Sequence, residues 1–312
     1  MMSQINYSII VPHKNAPDLL EHCLSTIPVR DDVQVIVVDD NSDASKVDFE
    51  HFPKWEGTNY EYYLTKEGKG GGYARNVGLE HTIGKWVLFL DADDYLQPSI
   101  GAIMDEEVNT DADLIYFRPK AVMQEDHSLT STRADVYNMM IDEYFQTKDE
   151  NNIRTRFFVP WTKFVRKSLI DSRSIRFDEL PYSNDVVCSV IIGCYAKTIC
   201  VRDTSFYVVT QSKHSLTTGM FRKPHELEAR TVAFFDAAKI IYDNGYRIDE
   251  AWTMNYLGMQ IRASRKDIIR YYRVVRSFGY KRMEIIRKLY KKNDWKAHLK
   301  RLYVFFVTLF EN

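Results

Sequence analysis

The chain has 312 residues, of which 45% are apolar and 27% are charged, a composition typical of a soluble globular protein that excludes a disordered or fibrous chain. The net charge of −1 is uneven: residues 262–312 contain 15 Lys or Arg against 4 Asp or Glu, a net of +11, so residues 1–261 carry −12. The acidic body and the basic C-terminal segment are therefore electrostatically distinct parts.

Membrane-spanning and secreted proteins are disfavoured by two further features of the sequence. No run of 18 apolar residues occurs, and the nearest stretch, residues 302–310, has only nine residues and is too short to span a bilayer. The four cysteines form no C-x-x-C pair, and no secretory signal precedes the first predicted strand. We therefore expect packing cysteines and a reduced, cytoplasmic setting.

The first hundred residues alternate between short Val- and Ile-rich runs and segments with helical spacing. The predicted strands are 7–11, 33–38, 60–64 and 86–90, and the predicted helices are 16–27 and 72–82. Such alternation predicts an α/β fold with a mostly parallel sheet and helices on both faces. Ligands of such sheets bind beyond the carboxyl ends of the strands, so the polar residues after each strand are the first candidates for a site.

The second hundred residues continue the pattern less regularly. After a helix that follows Pro98, we predict a strand near 114–117, a polar loop over 124–133, and renewed strand and helix alternation over 161–209. Beyond Pro224 apolar residues recur only at helical spacing. The sequence thus predicts an α/β domain over 1–220 and a helical, basic region over 221–312.

Carboxylates gather after two of the predicted strands. The second strand is followed by Asp39 and Asp40, and the fourth by Asp91, Asp93 and Asp94. These charges would repel one another unless a divalent cation or the hydroxyl groups of a sugar nucleotide lay between them. The alternative is that these residues only form turns and cap helices.

A glycine-rich segment, KEGKGGGYARN at 66–76, lies between the two acidic clusters and opens into a helix. Such a loop can direct backbone N–H groups at a phosphate, or it can be a flexible turn. It matches neither G-x-x-x-x-G-K-[ST] nor a G-x-G-x-x-G after the first strand. A nucleotide-hydrolase or dinucleotide-binding domain is therefore not indicated.

Seven motifs occur in a defined order along the chain. They are SIIVP (8–12) followed by Asn15, VVDDNS (37–42), ARNVG (74–78), FLDADD (89–94), PWTKF (160–164), RFDE (176–179) leading to Asn184 and Asp185, and HSLT (214–217). In this order they resemble the inverting glycosyltransferases of family 2. That family has the GT-A fold, a Rossmann-like nucleotide-binding architecture, and the resemblance covers roughly residues 5–218.

The resemblance implies a metal-dependent enzyme that requires Mn²⁺ or Mg²⁺. It implies transfer of a sugar from a nucleoside diphosphate sugar, with a UDP-sugar favoured, to a hydroxyl of a glycan or lipid-linked saccharide acceptor. The donor half would span about 1–117 and the acceptor half about 118–220. The implied setting is bacterial cell-surface polysaccharide synthesis, such as that of capsule or O-antigen.

The resemblance also implies roles for particular residues. Asp185 matches the general base, and the donor-binding positions are Pro12, Asn15, Asp39, Asp40, Arg75, Asp91 and Asp94. Asp91 and Asp93 match the D-x-D pair, with Asp93 or Asp94 holding the metal and His214 as a candidate third ligand or phosphate contact. Alternative roles stay open: Arg75 as a structural ion pair, Asp185 as a helix N-cap, and His214 as an ordinary loop residue.

Two departures from the family pattern stand out. Lys14 replaces the tyrosine that usually precedes the asparagine after the first strand, and this cation puts the expected uridine contact in question. Asn184 replaces the glutamate that usually precedes the base. This second change removes a negative charge that would raise the pKa of Asp185.

The basic segment 262–312 interleaves Arg and Lys with aliphatic and aromatic residues. This pattern predicts either a membrane-surface helix, which would place the enzyme at the inner face of the membrane, or a helical cap packed on the catalytic domain. No nucleic-acid-binding motif accompanies the basic stripe, so we expect no nucleic-acid partner.

Two other functions remain as alternatives at this stage. A nucleotidyltransferase also uses a metal and acidic residues on an α/β sheet, but its activating lysine would lie in a glycine-rich loop directly after the first strand. A non-catalytic glycan-binding or scaffold protein of the same fold would retain the architecture without the chemistry. Metal-dependent hydrolysis of a sugar nucleotide distinguishes the glycosyltransferase from both.

Overall fold

The computed structural model describes residues 4–180, 182–212, 224–248, 253 and 268–285. The chain divides into two compact units, residues 1–218 and 219–312. His214 and the motif at 214–217 lie outside the described residues, as does most of the basic segment 262–312.

The first unit contains the strands and most of the described helices. Its strands are β1 Tyr7–His13, β2 Val33–Asp40, β3 Tyr60–Thr65, β4 Trp86–Phe89, β5 Tyr95–Leu96, β6 Leu114–Tyr116, β7 Lys120–Met123, β8 Asp126–Thr130, β9 Lys163–Arg166, β10 Ile199–Val201 and β11 Tyr207–Gln211. Its helices are α1 Pro17–Ser25, α2 Gly71–Glu80, α3 Ile100–Glu107, α4 Asp135–Thr147, α5 Asn151–Arg156, α6 Lys167–Ser172 and α7 Val186–Tyr195, with a 3-10 helix at Thr132–Ala134.

A seven-stranded sheet with the order β10-β6-β9-β4-β1-β2-β3 forms the centre of this unit. The strands β4, β1, β2 and β3 run parallel, and β9 is inserted antiparallel between β4 and β6. A second sheet has the order β5-β11-β7-β8. The predicted α/β fold with a mostly parallel central sheet is therefore confirmed.

The central strands form where the sequence is apolar without alternation. All eight residues of β2 are buried, and Ile10 of β1 lies level with Ile36 of β2 and Phe89 of β4. Helix α2 packs against this layer at Gly78, where a Cβ would lie 2.5 Å from the side chain of Ile10. Only glycine allows so close an approach, and this contact fixes the position of the helix that carries Arg75.

The prediction of a loop over 124–133 is wrong. Residues 120–130 form a hairpin of β7 and β8, with an irregular register at Val122 and Met123. All five residues of β8 are exposed, so the strand lacks the apolar alternation that would have marked it. Backbone pairing to β7, rather than burial of side chains, maintains this strand.

The second unit is helical in its described part, with α8 Pro224–Asp243 and α9 Ile268–Ser277. Val275 of α9 is fully buried, whereas Arg273 and Arg276 of the same helix are exposed. The rings of Tyr242 and Phe278 lie 5.1 Å apart. Within the described ranges, none of the helices has the length and apolar character needed to cross a bilayer.

Candidate active site

The carboxyl ends of β1 and β2 are joined by a buried polar network around Asp39. Its Oδ2 lies 2.7 Å from Nδ1 of His13, and the backbone N–H and hydroxyl of Ser42 donate to the carboxylate at 2.8 and 2.5 Å. The N–H of Ala16 donates to Nε2 of His13, so the ring proton is on Nδ1 and points at Asp39. Burial opposes ionisation of Asp39, but the bonds from His13 and Ser42 outweigh it and lower its pKa.

Asn15 and Pro12 shape the same strand ends. The N–H of Asn15 donates to the Ser42 hydroxyl at 2.7 Å, and its side-chain oxygen accepts from the N–H of Asp43 at 2.7 Å. Pro12 lies level with Val38 in the parallel register. The structure thus gives Asn15 and Asp39 a part in holding the two turns together, while their contact with a donor stays a prediction.

Asp40 differs from its neighbour because one of its oxygens is unused. Oδ2 accepts from the N–H of Gly70 at 2.8 Å and from Nζ of Lys14 at 3.1 Å. The residue is only 2% exposed, and Oδ1 has no hydrogen-bond partner among the described residues. The glycine-rich loop therefore holds Asp40 and leaves one buried acceptor for a ligand.

The acidic cluster after β4 brings three carboxylates together. One oxygen from each of Asp91, Asp93 and Asp94 lies within 4.8 Å of the others. Asp94 is held on both oxygens, by the Tyr207 hydroxyl at 2.7 Å and the N–H of Thr210 at 2.7 Å. Asp93 is exposed, and no side chain of the described residues hydrogen-bonds to its carboxylate.

Electrostatic crowding distinguishes this cluster. Burial, followed by the charges of Asp93 and Asp91, raises the pKa of Asp94 well above its usual value, against the opposing bonds from Tyr207 and Thr210. Asp93 has an exposed tip, yet the surrounding protein and the charge of Asp91 raise its pKa to about 6. An all-oxygen set with surplus negative charge fits a hard divalent cation such as Mg²⁺ or Mn²⁺.

Arg75 connects the acidic cluster to the segment that precedes Asp185. Its Nη2 lies 2.5 Å from Oδ1 of Asp91, and its Nη1 donates to the side-chain oxygen of Asn184 at 3.4 Å. Burial would lower the pKa of Arg75, but the charge of Asp91 outweighs it and raises the pKa. The ion pair foreseen as an alternative role is therefore present, and it places the guanidinium beside the residue that precedes Asp185.

Asp185 lies directly before α7, at its N-cap position, but its side chain makes no capping hydrogen bond. Burial raises the pKa of its carboxyl group, while the positive charge of Arg75 opposes the shift. A carboxylate with a raised pKa that is not used as a cap is suited to accept a proton.

The first turn of α2 fixes the segment that leads to Asp185. The side chain of Asn76 donates to the carbonyl of Phe177 at 2.9 Å and accepts from its N–H at 2.8 Å. A Cβ at Gly72 would lie 2.1 Å from the carbonyl oxygen of Asp178, so only glycine fits there. Helix α2 is thereby held against the segment that precedes Asp185.

Three contributors to the site were not predicted from the sequence. His13 orients Asp39, and Tyr207 and Thr210 of β11 hold Asp94. His13 lies between Pro12 and Asn15, which the family pattern already marks, so its position at a strand end was a usable signal. Tyr207 and Thr210 follow the acids by more than 110 residues, and no local pattern connects them.

Parallel strands that end in two acidic turns, with a basic side chain between the acidic cluster and the segment before Asp185, are consistent with the GT-A fold. The model of glycosyl transferase family 2 matches residues 8–173, and the chain belongs to this family.

Two relatives illustrate the similarity. The chain is 26% identical over 208 residues to the putative glycosyltransferase EpsH of Bacillus subtilis, covering 64% of this chain and 59% of that protein. It is 29% identical over 178 residues to the teichoic acid poly(glycerol phosphate) polymerase of Staphylococcus epidermidis, covering 55% of this chain and 23% of that protein. The match thus spans less than two thirds of the length of either relative.

Solved structures share the fold. The crystal structure of S. aureus TarS 1-349 in complex with UDP-GlcNAc has a TM-score of 0.58 at 21% identity and covers 91% of this chain and 89% of that chain. The mannosyltransferase PcManGT from Pyrobaculum calidifontis, in complex with GDP-Man and Mn²⁺, has a TM-score of 0.54 at 14% identity and covers 99% of this chain and 88% of that chain. At these identities the likeness concerns architecture alone.

Proposed function

We propose that the chain is a metal-dependent, inverting glycosyltransferase that moves a sugar from a nucleoside diphosphate sugar to a glycan or lipid-linked acceptor hydroxyl. The observation that carries this proposal is the arrangement around Arg75, which contacts Asp91 of the acidic cluster and Asn184 beside Asp185. A site for a charged leaving group and a candidate base are thereby linked by one side chain.

The donor would lie along the carboxyl ends of β1, β2 and β4. Asp40 offers a buried, unused oxygen to the nucleoside, and Pro12, Asn15 and Asp39 shape the turns beside it. Arg75, Asp91 and Asp94 would define the diphosphate end. Relatives of the same fold that hold UDP-GlcNAc and GDP-Man support a nucleotide sugar, and we favour a UDP-sugar.

The residues that would hold a metal are Asp91 and Asp93, with His214 as a proposed third ligand outside the described residues. Asp93 is the better candidate of the D-x-D region because both oxygens of Asp94 are already hydrogen-bonded by Tyr207 and Thr210. When bound, Mn²⁺ or Mg²⁺ supplies positive charge for the phosphates of the leaving nucleoside diphosphate.

Asp185 would act as the general base on the acceptor side. Its carboxylate takes the proton of the acceptor hydroxyl while that oxygen bonds to the anomeric carbon and the bond to the diphosphate oxygen breaks. A single displacement through an oxocarbenium-like transition state inverts the anomeric centre. Burial makes Asp185 a stronger base than an exposed aspartate, and Arg75 keeps its charged form accessible.

The acceptor and the setting are also proposals. Relatives named as a teichoic acid poly(glycerol phosphate) polymerase and as the poly(ribitol-phosphate) beta-N-acetylglucosaminyltransferase TarS support a role in cell-surface polysaccharide synthesis. We propose that the donor half of the enzyme spans about residues 1–117 and the acceptor half about residues 118–220.

We also propose that the enzyme is cytoplasmic and contacts the inner face of the membrane through residues 262–312. Co-sedimentation of the full chain with anionic but not neutral vesicles would support this contact, and equal sedimentation with both would contradict it.

The central test is hydrolysis of sugar nucleotides with and without a metal. We expect the chain to hydrolyse a UDP-sugar slowly in Mn²⁺ or Mg²⁺ and not in chelator, and we expect Asp93→Ala to lower the rate by about 10³-fold or more. Asp48→Ala is the matched control, because Asp48 is exposed and, within the described residues, contacts only its sequence neighbours: it pairs with the His51 ring and accepts from the N–H groups of Glu50 and His51. Hydrolysis that persists in chelator or in Asp93→Ala would contradict the proposal.

A further inference from the structure

We propose that Lys14 is a base-specificity residue of the donor site. Its ammonium group donates to a ring carbonyl of the nucleobase, while Asp40 accepts the ring N–H beside that carbonyl. Uracil (N3–H beside C4=O) and guanine (N1–H beside C6=O) carry such a pair. In cytosine and adenine the corresponding ring nitrogen carries a lone pair instead of a hydrogen, and an amino group replaces that carbonyl. This inference rests on the proposed function, because it assumes a nucleoside diphosphate donor.

The first half of the recognition pair is the unused oxygen of Asp40. Oδ2 is occupied by the N–H of Gly70 and the ammonium of Lys14, and Oδ1 is buried with no partner among the described residues. A buried carboxylate oxygen without a donor is costly, so a ligand that brings an N–H gains more there than at an exposed site. A base that offers a lone pair instead would be repelled.

The second half is the ammonium of Lys14. It lies 3.1 Å from Asp40 Oδ2, and the side chain remains 46% exposed. An ammonium group has three N–H donors, and within the described residues Asp40 is the partner found for Lys14. A donor and an acceptor, the complement of a lactam edge, therefore lie side by side where β1 and β2 end.

The glycine-rich loop restricts where this ammonium can go. Gly68 has a φ of +62°, and a Cβ on it would lie 3.7 Å from Nζ of Lys14 and 3.5 Å from the side-chain nitrogen of Asn41. The loop thus passes directly over Lys14, while Gly70 fixes the Asp40 carboxylate from the same side. A lysine confined in this way loses less conformational entropy when it binds a ligand.

The competing role for Lys14 is a contact with the diphosphate, which would be indifferent to the base. Its pairing with Asp40 favours the base, because a carboxylate placed beside the phosphates would repel them. Lys69 provides a matched comparison in the same loop. Its side chain is 48% exposed, but it pairs with Glu179 at 3.4 Å and lies over the ring of Tyr73.

The test is calorimetric binding of UDP, GDP, CDP and ADP to the full chain in Mg²⁺. We expect the wild type to bind either UDP or GDP at least about tenfold more tightly than CDP and ADP. Lys14→Met should weaken the favoured nucleotide by about tenfold and leave CDP and ADP within about twofold. Lys69→Met should change all four by the same small factor, because it removes an equal charge without the base contact.

A chemical probe separates the carbonyl from the rest of the nucleotide. If UDP is favoured, the probe is 4-thio-UDP, whose sulfur is a weak acceptor. It should bind the wild type more weakly than UDP, whereas Lys14→Met should bind 4-thio-UDP and UDP equally tightly. If GDP is favoured, the corresponding probe is 6-thio-GDP. If Lys14→Met loses the same affinity for all four nucleotides, Lys14 contacts the phosphates. If it loses no affinity, Lys14 has no role in nucleotide binding. Either result overturns the inference. Failure of the folded wild type to bind any of the four would instead overturn the donor site itself.

Discussion

The two acidic strand ends look alike in sequence but are opposite in their electrostatics. After β2, Asp39 is buried, receives bonds from His13 and Ser42, and has a lowered pKa. After β4, burial and mutual repulsion raise the pKa of Asp94 and Asp93. Both ends read as aspartates following an apolar strand, so the difference lies entirely in what the fold brings beside them.

This contrast separates structural acids from chemical ones. A carboxylate that the protein's own donors hold in its charged form, as His13 and Ser42 hold Asp39, stabilises the fold and has little left for a ligand. Carboxylates that repel one another are stabilised when a cation or a proton binds to them, because either one reduces the repulsion. Asp185, with its raised pKa and no capping bond, belongs with the second group.

The largest expected effect would come from removing the proposed base. Asp185→Asn keeps the size of the side chain but cannot accept a proton, so we expect kcat for transfer to fall by about 10³-fold. The affinity for the nucleoside diphosphate, measured by calorimetry, should stay within about twofold. A variant that loses nucleotide binding along with kcat would place Asp185 among the donor contacts rather than on the acceptor side.

The next effect concerns stability. Asp39→Asn should lower the free energy of unfolding by about 2–3 kcal/mol, because it leaves the His13 N–H and the Ser42 donors facing a neutral amide. Asp94→Asn is the matched change, since Asp94 is equally buried and accepts two bonds where Asp39 accepts three. In chelator it should cost at most about 1 kcal/mol, because relief of repulsion offsets the weakened bonds. Urea unfolding measures both, and equal losses would erase the distinction.

The smallest effect is a pH dependence of opposite sign at the two ends. The folded-state pKa of Asp93 is raised from 3.8 to about 6, so its contribution to stability is fully present below about pH 4 and is lost as the pH rises through 6. Asp39, with a lowered pKa, contributes above about pH 4 and loses its contribution as the pH falls further.

The measurement is urea unfolding in chelator at pH 4.5 and pH 7 for the wild type and Asp93→Asn. Because the tip of Asp93 is solvated, we expect the variant to remove only about 1 kcal/mol of the difference between the two pH values. Excess Mg²⁺ should remove the same difference from the wild type. If the variant and the wild type depend on pH in the same way, the cluster is not crowded enough to require a cation.

The central part of the fold could be predicted from the sequence because its signals are local. Continuous apolar runs marked β1, β2 and β4 to within three residues, since strands buried on both faces need no alternation. The proximity of the aspartates after these strands could be predicted because the carboxyl ends of parallel strands lie at one edge of the sheet. The family motifs added the expected role of each strand end in binding the donor or the metal.

The remainder depends on contacts between distant segments. The insertion of β9 between β4 and β6 leaves no trace in the local pattern of residues 163–166. The exposed strand β8 resembles a loop, and the support of Asp94 by Tyr207 and Thr210 crosses more than 110 residues. The difference between Asp39 and Asp94 could not be predicted for the same reason, because their partners are assembled only by the fold.

The fit of α2 against the segment before Asp185 has a consequence for how such enzymes can be recombined. Gly72, Arg75 and Asn76 occupy little more than one helical turn, and each contacts Asp178, Asn184 or Phe177 in the segment before Asp185. In a chimera that takes residues 118–220 from another family member, the segment before Asp185 would come from a protein with a different sequence at the start of α2. We expect such a chimera to fold and be active only when residues 71–76 are taken from the same family member as residues 118–220.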